Sequence, residues 1–112
     1  MTGHMLNIEI VDGILRIEVA GSLDAETAFH LDQQINARYP DATEGIVLNL
    51  NHTEFMDSAG VGFVVRLRER AKRASNSFEI IRVGGQPRRL LEQIGGISIL
   101  ELKGNEGDIA NA

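Results

Sequence analysis

Between "LNIEIV" (6–11) and "ILRIEVA" (14–20) stands the dipeptide Asp12-Gly13. Both flanking runs alternate apolar with polar residues, the period of a half-buried strand. Asp-Gly is among the strongest short hairpin signals, because both positions accept positive φ. The chain therefore opens as an antiparallel hairpin, and the rest of the fold must build on that pair. "GIVLNL" (45–50) has little polar interruption, as expected of a central strand covered on both faces. "FEIIRV" (78–83) and "SILEL" (98–102) read as the fourth and fifth strands.

Helical patterns fill the gaps. In "AETAFHLDQQINARY", after the connection "GSLD" (21–24), Ala28, Leu31, Ile35 and Tyr39 recur at helical spacing, Asp24 suits the N-cap, and Pro40 ends the run. A second helix is expected from Ser58 to about Ser75, with Val61, Val64, Val65, Arg68 and Ala71 along one side. Only the aliphatic stem of Arg68 can join that stripe. A third starts at Pro87, runs through "RRLLEQI" and stops at Gly95-Gly96. The tail from Gly104 reads as a short helix or a frayed end.

The order β-β-α-β-α-β-α-β indicates an α/β fold: a mostly parallel five-stranded sheet with an N-terminal antiparallel hairpin and three to four helices. The expected domain covers 5–104, with 105–112 as the tail. "MTGHM" reads in part as a cloning scar (residues 1–4), with Met5 as the natural start, so His4 carries no weight.

The length of 112 residues fits one domain, and a hydrophobic fraction of 43% supports a core without staples. The chain lacks cysteine, which excludes a disulfide scaffold and thiolate metal sites and is compatible with the cytoplasm. Its apolar runs are short and broken by charge, so no membrane span and no signal peptide are expected. A formal net charge of -5 argues against direct nucleic-acid binding. The run "RLRERAKR" (66–73) is the basic exception, readable as a solvated helix face or as a docking patch for an acidic partner.

The connections leaving the carboxyl ends of strands in an open α/β sheet gather on one rim, where binding sites collect. This places Asp24, Ser58 and Gly84-Gly85 on one edge. In "EFMDSAGVGF" (54–63), Ser58 is expected at the N-cap or within one residue of it. There the helix dipole and free N–H groups favour an anion. A phosphate on Ser58 would add roughly 1.5 to 2 negative charges beside Asp57, with Ala59 and Gly60 leaving the hydroxyl approachable. From the spacing alone plain capping is the more ordinary account of a serine here, and the two roles are compatible.

Three other chemistries are less well served. A hydrolase needs a base near Ser58 and an oxyanion hole; His30 falls mid-helix, His52 in a loop, and the Gly-x-Ser-x-Gly elbow is missing. The three histidines have no metal-ligand spacing. "GVG" (60–62) and "GG" (84–85) lack the lysine-bearing phosphate loop of nucleotide sites. No cofactor is therefore expected.

"IVLNLNHTEFMDSAGVGFVVRL" resembles the signature of STAS domains, in particular the single-domain bacterial anti-sigma factor antagonists. "GSLDAETA" is similar to the family's Gly-x-Leu-Asp…Ala element, and "PRRLLEQIGG" to its Pro…Leu…Gly block; together they span about residues 6 to 102. The resemblance implies a regulatory protein, not an enzyme. Its partners would be a serine kinase that is also an anti-sigma factor, and a phosphatase. It implies Ser58 as phosphoacceptor, with Asp24 and Asp57 nearby. The expected docking surface is Asp24, Asp57, Ser58, Ala59, Gly60, Arg66 and Arg70. Ala59 stands where many members have a second serine, and the basic run matches no family feature. Some STAS proteins serve instead in stress-signalling assemblies or as subunits of lipid-transport ABC complexes, docking without phosphorylation.

Overall fold

A computed structural model of the chain describes residues 5–38 and 44–94. Strands β1 (Met5–Val11) and β2 (Ile14–Leu23) pair antiparallel, from Met5 opposite Ala20 to Val11 opposite Ile14. Asp12 (φ 53) and Gly13 (φ 81) both take positive φ in the turn, as the dipeptide requires.

Helix α1 (Ala25–Arg38) follows directly. Asp24 caps it: Thr27 N–H donates to Asp24 Oδ1 at 3.0 Å, and Ala28 N–H to the Asp24 carbonyl at 2.8 Å. Ala28, Leu31 and Ile35 are buried, as their spacing predicts. Tyr39 and Pro40 lie outside the described residues.

Strands β3 (Gly45–Asn49) and β5 (Ser77–Ile81) extend the sheet in parallel, in the order β1-β2-β3-β5. The pleat sorts the side chains. Leu15, Ile17, Val19, Ile46, Leu48 and Ile80 join the core shared with the helices. Arg16, Val47 and Glu79 stand in register on the opposite face, as do Glu18, Asn49 and Ile81. Val47 and Asn49 are only half-buried, so among the described residues β3 is covered fully on one face, not on both.

The largest departure is β4 (Thr53–Met56), expected as loop. It pairs in parallel with the end of β2: Gly21 with Thr53, Ser22 with Phe55, Leu23 with Met56, with a register shift between Gly21 and Ser22. Gly21 takes φ 93 there, and the irregularity turns β2 away from β3 towards β4. The Thr53 hydroxyl donates to the Val19 carbonyl at 2.7 Å, and Gly21 N–H to that of His52 at 2.9 Å. Among the described residues β4 thus makes the fifth strand of this sheet. The expected strand over 98–102, the Gly95-Gly96 stop and the tail lie outside the described residues.

Helix α2 (Ser58–Arg73) buries Gly60, Phe63, Val64, Leu67 and Ala71. Val61 and Val65, expected in that stripe, are half-buried and pack against the core, and Arg68 is half-buried as well. Turning the helix to bury Phe63 and Leu67 removes more apolar surface from water than burying two valines. Helix α3 (Gly85–Glu92) starts two residues before Pro87, which occupies its first turn, and its C-cap is Gln93.

Candidate functional site: the rim at the ends of β2, β4 and β5

Three strands deliver their following residues to one edge. Leu23 and Met56 are partners in the β2–β4 ladder, so Asp24 and Asp57 leave adjacent strands side by side. Gly60, one turn into α2, is buried against the end of β2: a Cβ there would collide with the Leu23 carbonyl oxygen and approach Met56 Cγ to 2.7 Å. From the β5 side, Gln86 Oε1 accepts the Met56 N–H and Gln86 Nε2 donates to the Met56 carbonyl, both at 2.8 Å. Asp24, Asp57-Ser58 and Gly84-Gly85 therefore share the rim that connectivity alone predicts.

Ser58 lies within one residue of the α2 cap, as expected, and the cap itself is Asp57. Asp57 holds extended backbone (φ -116, ψ -169), and its Oδ1 accepts Gly60 N–H at 3.0 Å. Asp57 is the N-cap, and Ser58 is the first helical residue, exposed to solvent. Either residue type caps well. The contact of Gly60 with β2 fixes where the first turn must start, and that start leaves Asp57, not Ser58, in the extended position. Gly60 serves this packing from below and presents nothing to a partner.

Ser58, Ala59, Gly62 and Arg66 of α2 face Ala25, Ala28, Phe29 and Asp32 of α1 across a shallow depression. Its floor is built of small residues, and its wall is Phe29, a large apolar side chain left 59% exposed. Nothing in the periodicity singled Phe29 out for this role. The one hint is that it falls off the Ala28–Leu31–Ile35 stripe, where a helix normally places polar residues.

Two cations of the basic run are tied to α1. Arg66 Nη2 donates to Asp32 Oδ2 at 2.7 Å, and Arg70 Nη1 to Asn36 Oδ1 at 3.0 Å, lacing α2 to α1 across the surface. The two described histidines, His30 and His52, are engaged elsewhere. His52 Nε2 lies 3.2 Å from Asn51 Nδ2 and 4.0 Å from Glu18 Oε2, while His30 lies 3.9 Å from Glu26 and edge-on to Phe29. Among the described residues no group of three or more His, Cys, Asp or Glu is placed to hold a metal ion. No helix among them is long and apolar enough to cross a membrane.

The profile of the STAS domain matches residues 5–109. The chain belongs to the STAS domain family. Its sequence is 30% identical over 104 residues to the anti-sigma-B factor antagonist of Staphylococcus aureus, covering 91% of this STAS domain and 94% of that protein. An anti-sigma factor antagonist from Mycobacterium paratuberculosis has the same fold, with a TM-score of 0.76 at 24% identity over 96% of this chain and 92% of that one. The Bacillus cell fate determinant SpoIIAA in its phosphorylated form superposes with a TM-score of 0.74 at 20% identity, covering 96% of this chain and 97% of that one.

Proposed function

We propose that this STAS domain is an anti-sigma factor antagonist, a non-enzymatic cytoplasmic switch whose partner is a serine kinase that also sequesters a sigma factor. The observation that carries the reading is the division of labour at the start of α2: Asp57 caps the helix, and the Ser58 hydroxyl is exposed beside an apolar depression. The S. aureus relative, named an anti-sigma-B factor antagonist, supports the class of partner. The Bacillus relative, solved in a phosphorylated form, supports the mode of control.

The unmodified rim docks the partner through the depression, Asp24, Asp57-Ser58, Ala59 and the exposed side of α2 bearing Arg66 and Arg70. The partner transfers the γ-phosphoryl group of ATP to the Ser58 oxygen: the new O–P bond forms as the bond from the γ-phosphorus to the β–γ bridging oxygen breaks, ADP leaves, and the hydroxyl proton passes to solvent. The phosphate brings roughly 1.5 to 2 negative charges to a rim already holding Asp24 and Asp57. A partner surface formed around a neutral hydroxyl then meets like charge and releases. A phosphatase restores the hydroxyl. The helix start tolerates the modification, because an anion at a helix N-terminus is favoured.

Ser58→Asp should weaken binding to the cognate kinase roughly tenfold or more, and Ser58→Ala should bind it and resist release by ATP. Intact mass after incubation with kinase and ATP should show one added phosphate on the wild type and none on Ser58→Ala. Tight binding without any added phosphate would instead make the domain a purely structural subunit.

A further inference from the structure

We propose that Arg66 is an intramolecular reader of the Ser58 phosphate, leaving Asp32 to bind it and thereby exposing a second negative charge on the docking face. The proposal rests on the reading of Ser58 as phosphoacceptor and assigns Arg66 to the domain's own regulation.

Three observations support it. Ser58, Gly62 and Arg66 follow one another at one-turn spacing on α2 and border the same depression. The residue between the two ends has no side chain, and the guanidinium already lies back over it: a Cβ at Gly62 would sit 3.3 Å from Arg66 Nη1. Helical side chains lean towards the N-terminus, so this is also the natural direction for Arg66 to extend. Eight residues of helix separate the two Cα atoms by about 12 Å, a span that an extended arginine and a phosphoserine together can bridge.

The present partner of Arg66 is easily exchanged. Its contact with Asp32 joins one nitrogen to one oxygen, with the side chains 56% and 36% exposed, and such surface pairs are weak and screened. A phosphate offers more charge and three acceptor oxygens to a planar fork of donors. Asp57 and Asp24 also lie on the rim, but both carboxylates already cap helices. Among the described residues Arg66 is the only cation bordering the depression. Its departure leaves the Asp32 carboxylate uncompensated beside Phe29, so that one modification turns an ion-paired face into one with two net negative groups.

The test uses the full chain with phosphoserine incorporated at position 58 during translation, so that no kinase is needed, and follows the phosphate by 31P NMR across pH. Arg66→Gln should raise the second phosphate pKa by roughly 0.5 unit. Lys72→Gln, an equal charge loss near the other end of α2, should leave it within about 0.1 unit at ordinary salt. In the wild-type phosphoprotein the Arg66 Nε–H resonance should move with the same midpoint. A phosphate midpoint unchanged by Arg66→Gln, or an Arg66 resonance indifferent to it, overturns the proposal. Because the phosphate is installed directly, either result stands whether or not a partner kinase discriminates the two forms.

Discussion

The side-chain amide of Gln86 closes both backbone hydrogen bonds of Met56, accepting its N–H and donating to its carbonyl, each at 2.8 Å. A glutamine thus stands in for one residue of a neighbouring strand beside the short β4, immediately before Asp57 and Ser58. The turn that presents the hydroxyl is held from three directions: by Gln86 of α3, by the β2 ladder, and by Gly60 packed on Leu23.

Gln86→Ala should therefore destabilise the fold by about 1–3 kcal/mol, the usual result of leaving a partly buried backbone donor and acceptor without partners. Denaturant unfolding measures this. Hydrogen exchange should show loss of protection at the Met56 amide ahead of the central strands. Gln86→Glu retains an acceptor for the N–H but no donor for the carbonyl, and should fall between the two.

At the helix start the roles of two adjacent residues separate cleanly. Asp57→Ala removes the observed cap and should destabilise by about 0.5–2 kcal/mol. Ser58→Ala leaves that cap in place and should change stability by no more than about 0.5 kcal/mol. Equal losses in thermal or urea unfolding would mean that both side chains share the capping.

Much of this architecture was legible because its signals are local. Asp12-Gly13 determines the hairpin within two residues, and Asp24 caps the helix whose apolar stripe begins at Ala28. β4 was not legible: four residues carry too little periodicity, and their partner is the end of β2, reached only because that strand bends at Gly21. The Gln86–Met56 clamp spans 30 residues with no pattern to announce it. The choice between Asp57 and Ser58 as cap could not be settled by propensity, since both residue types cap well; the contact of Gly60 with Leu23 settles it. Phe29 escaped notice because a single exposed aromatic acquires meaning only beside the small residues of α2 that complete the depression.

Gly60→Ala should be severe for a steric reason. The added methyl meets the Leu23 carbonyl oxygen, a backbone atom, as well as Met56 Cγ at 2.7 Å. Overpacking of this kind usually destabilises by about 1–3 kcal/mol. Relief by sliding α2 would move Ser58 relative to Asp24. The variant should thus lose partner binding beyond what its residual folded fraction explains, whereas Gly62→Ala, which meets only the mobile end of Arg66, should remain close to wild type in stability.

Thr27 provides a prediction of opposite sign. Its side chain is fully buried at the first turn of α1, and its hydroxyl has no hydrogen-bond partner among the described residues. Thr27→Val keeps the shape and the β-branch while removing the desolvated oxygen. Unfolding should show a change between zero and about 1 kcal/mol of added stability. A clear loss would mean that the hydroxyl is satisfied in solution.

Phe29 should separate binding from folding. With 59% of its surface in water it contributes little to the core, yet it forms the apolar wall of the depression beside Ser58. Exposed aromatics flanked by small residues suit the anchors on which interface energy concentrates. Phe29→Ala should leave the unfolding midpoint nearly unchanged while weakening kinase binding by about 2 kcal/mol, roughly thirtyfold in Kd. Calorimetric titration of the unphosphorylated wild type and Phe29→Ala against the cognate kinase checks this, with Phe55→Ala for comparison, an aromatic 47% exposed on β4 that does not border the depression. Equal losses at the two sites would spread the interface over β4, and no loss at Phe29 would move the docking face off α1 altogether.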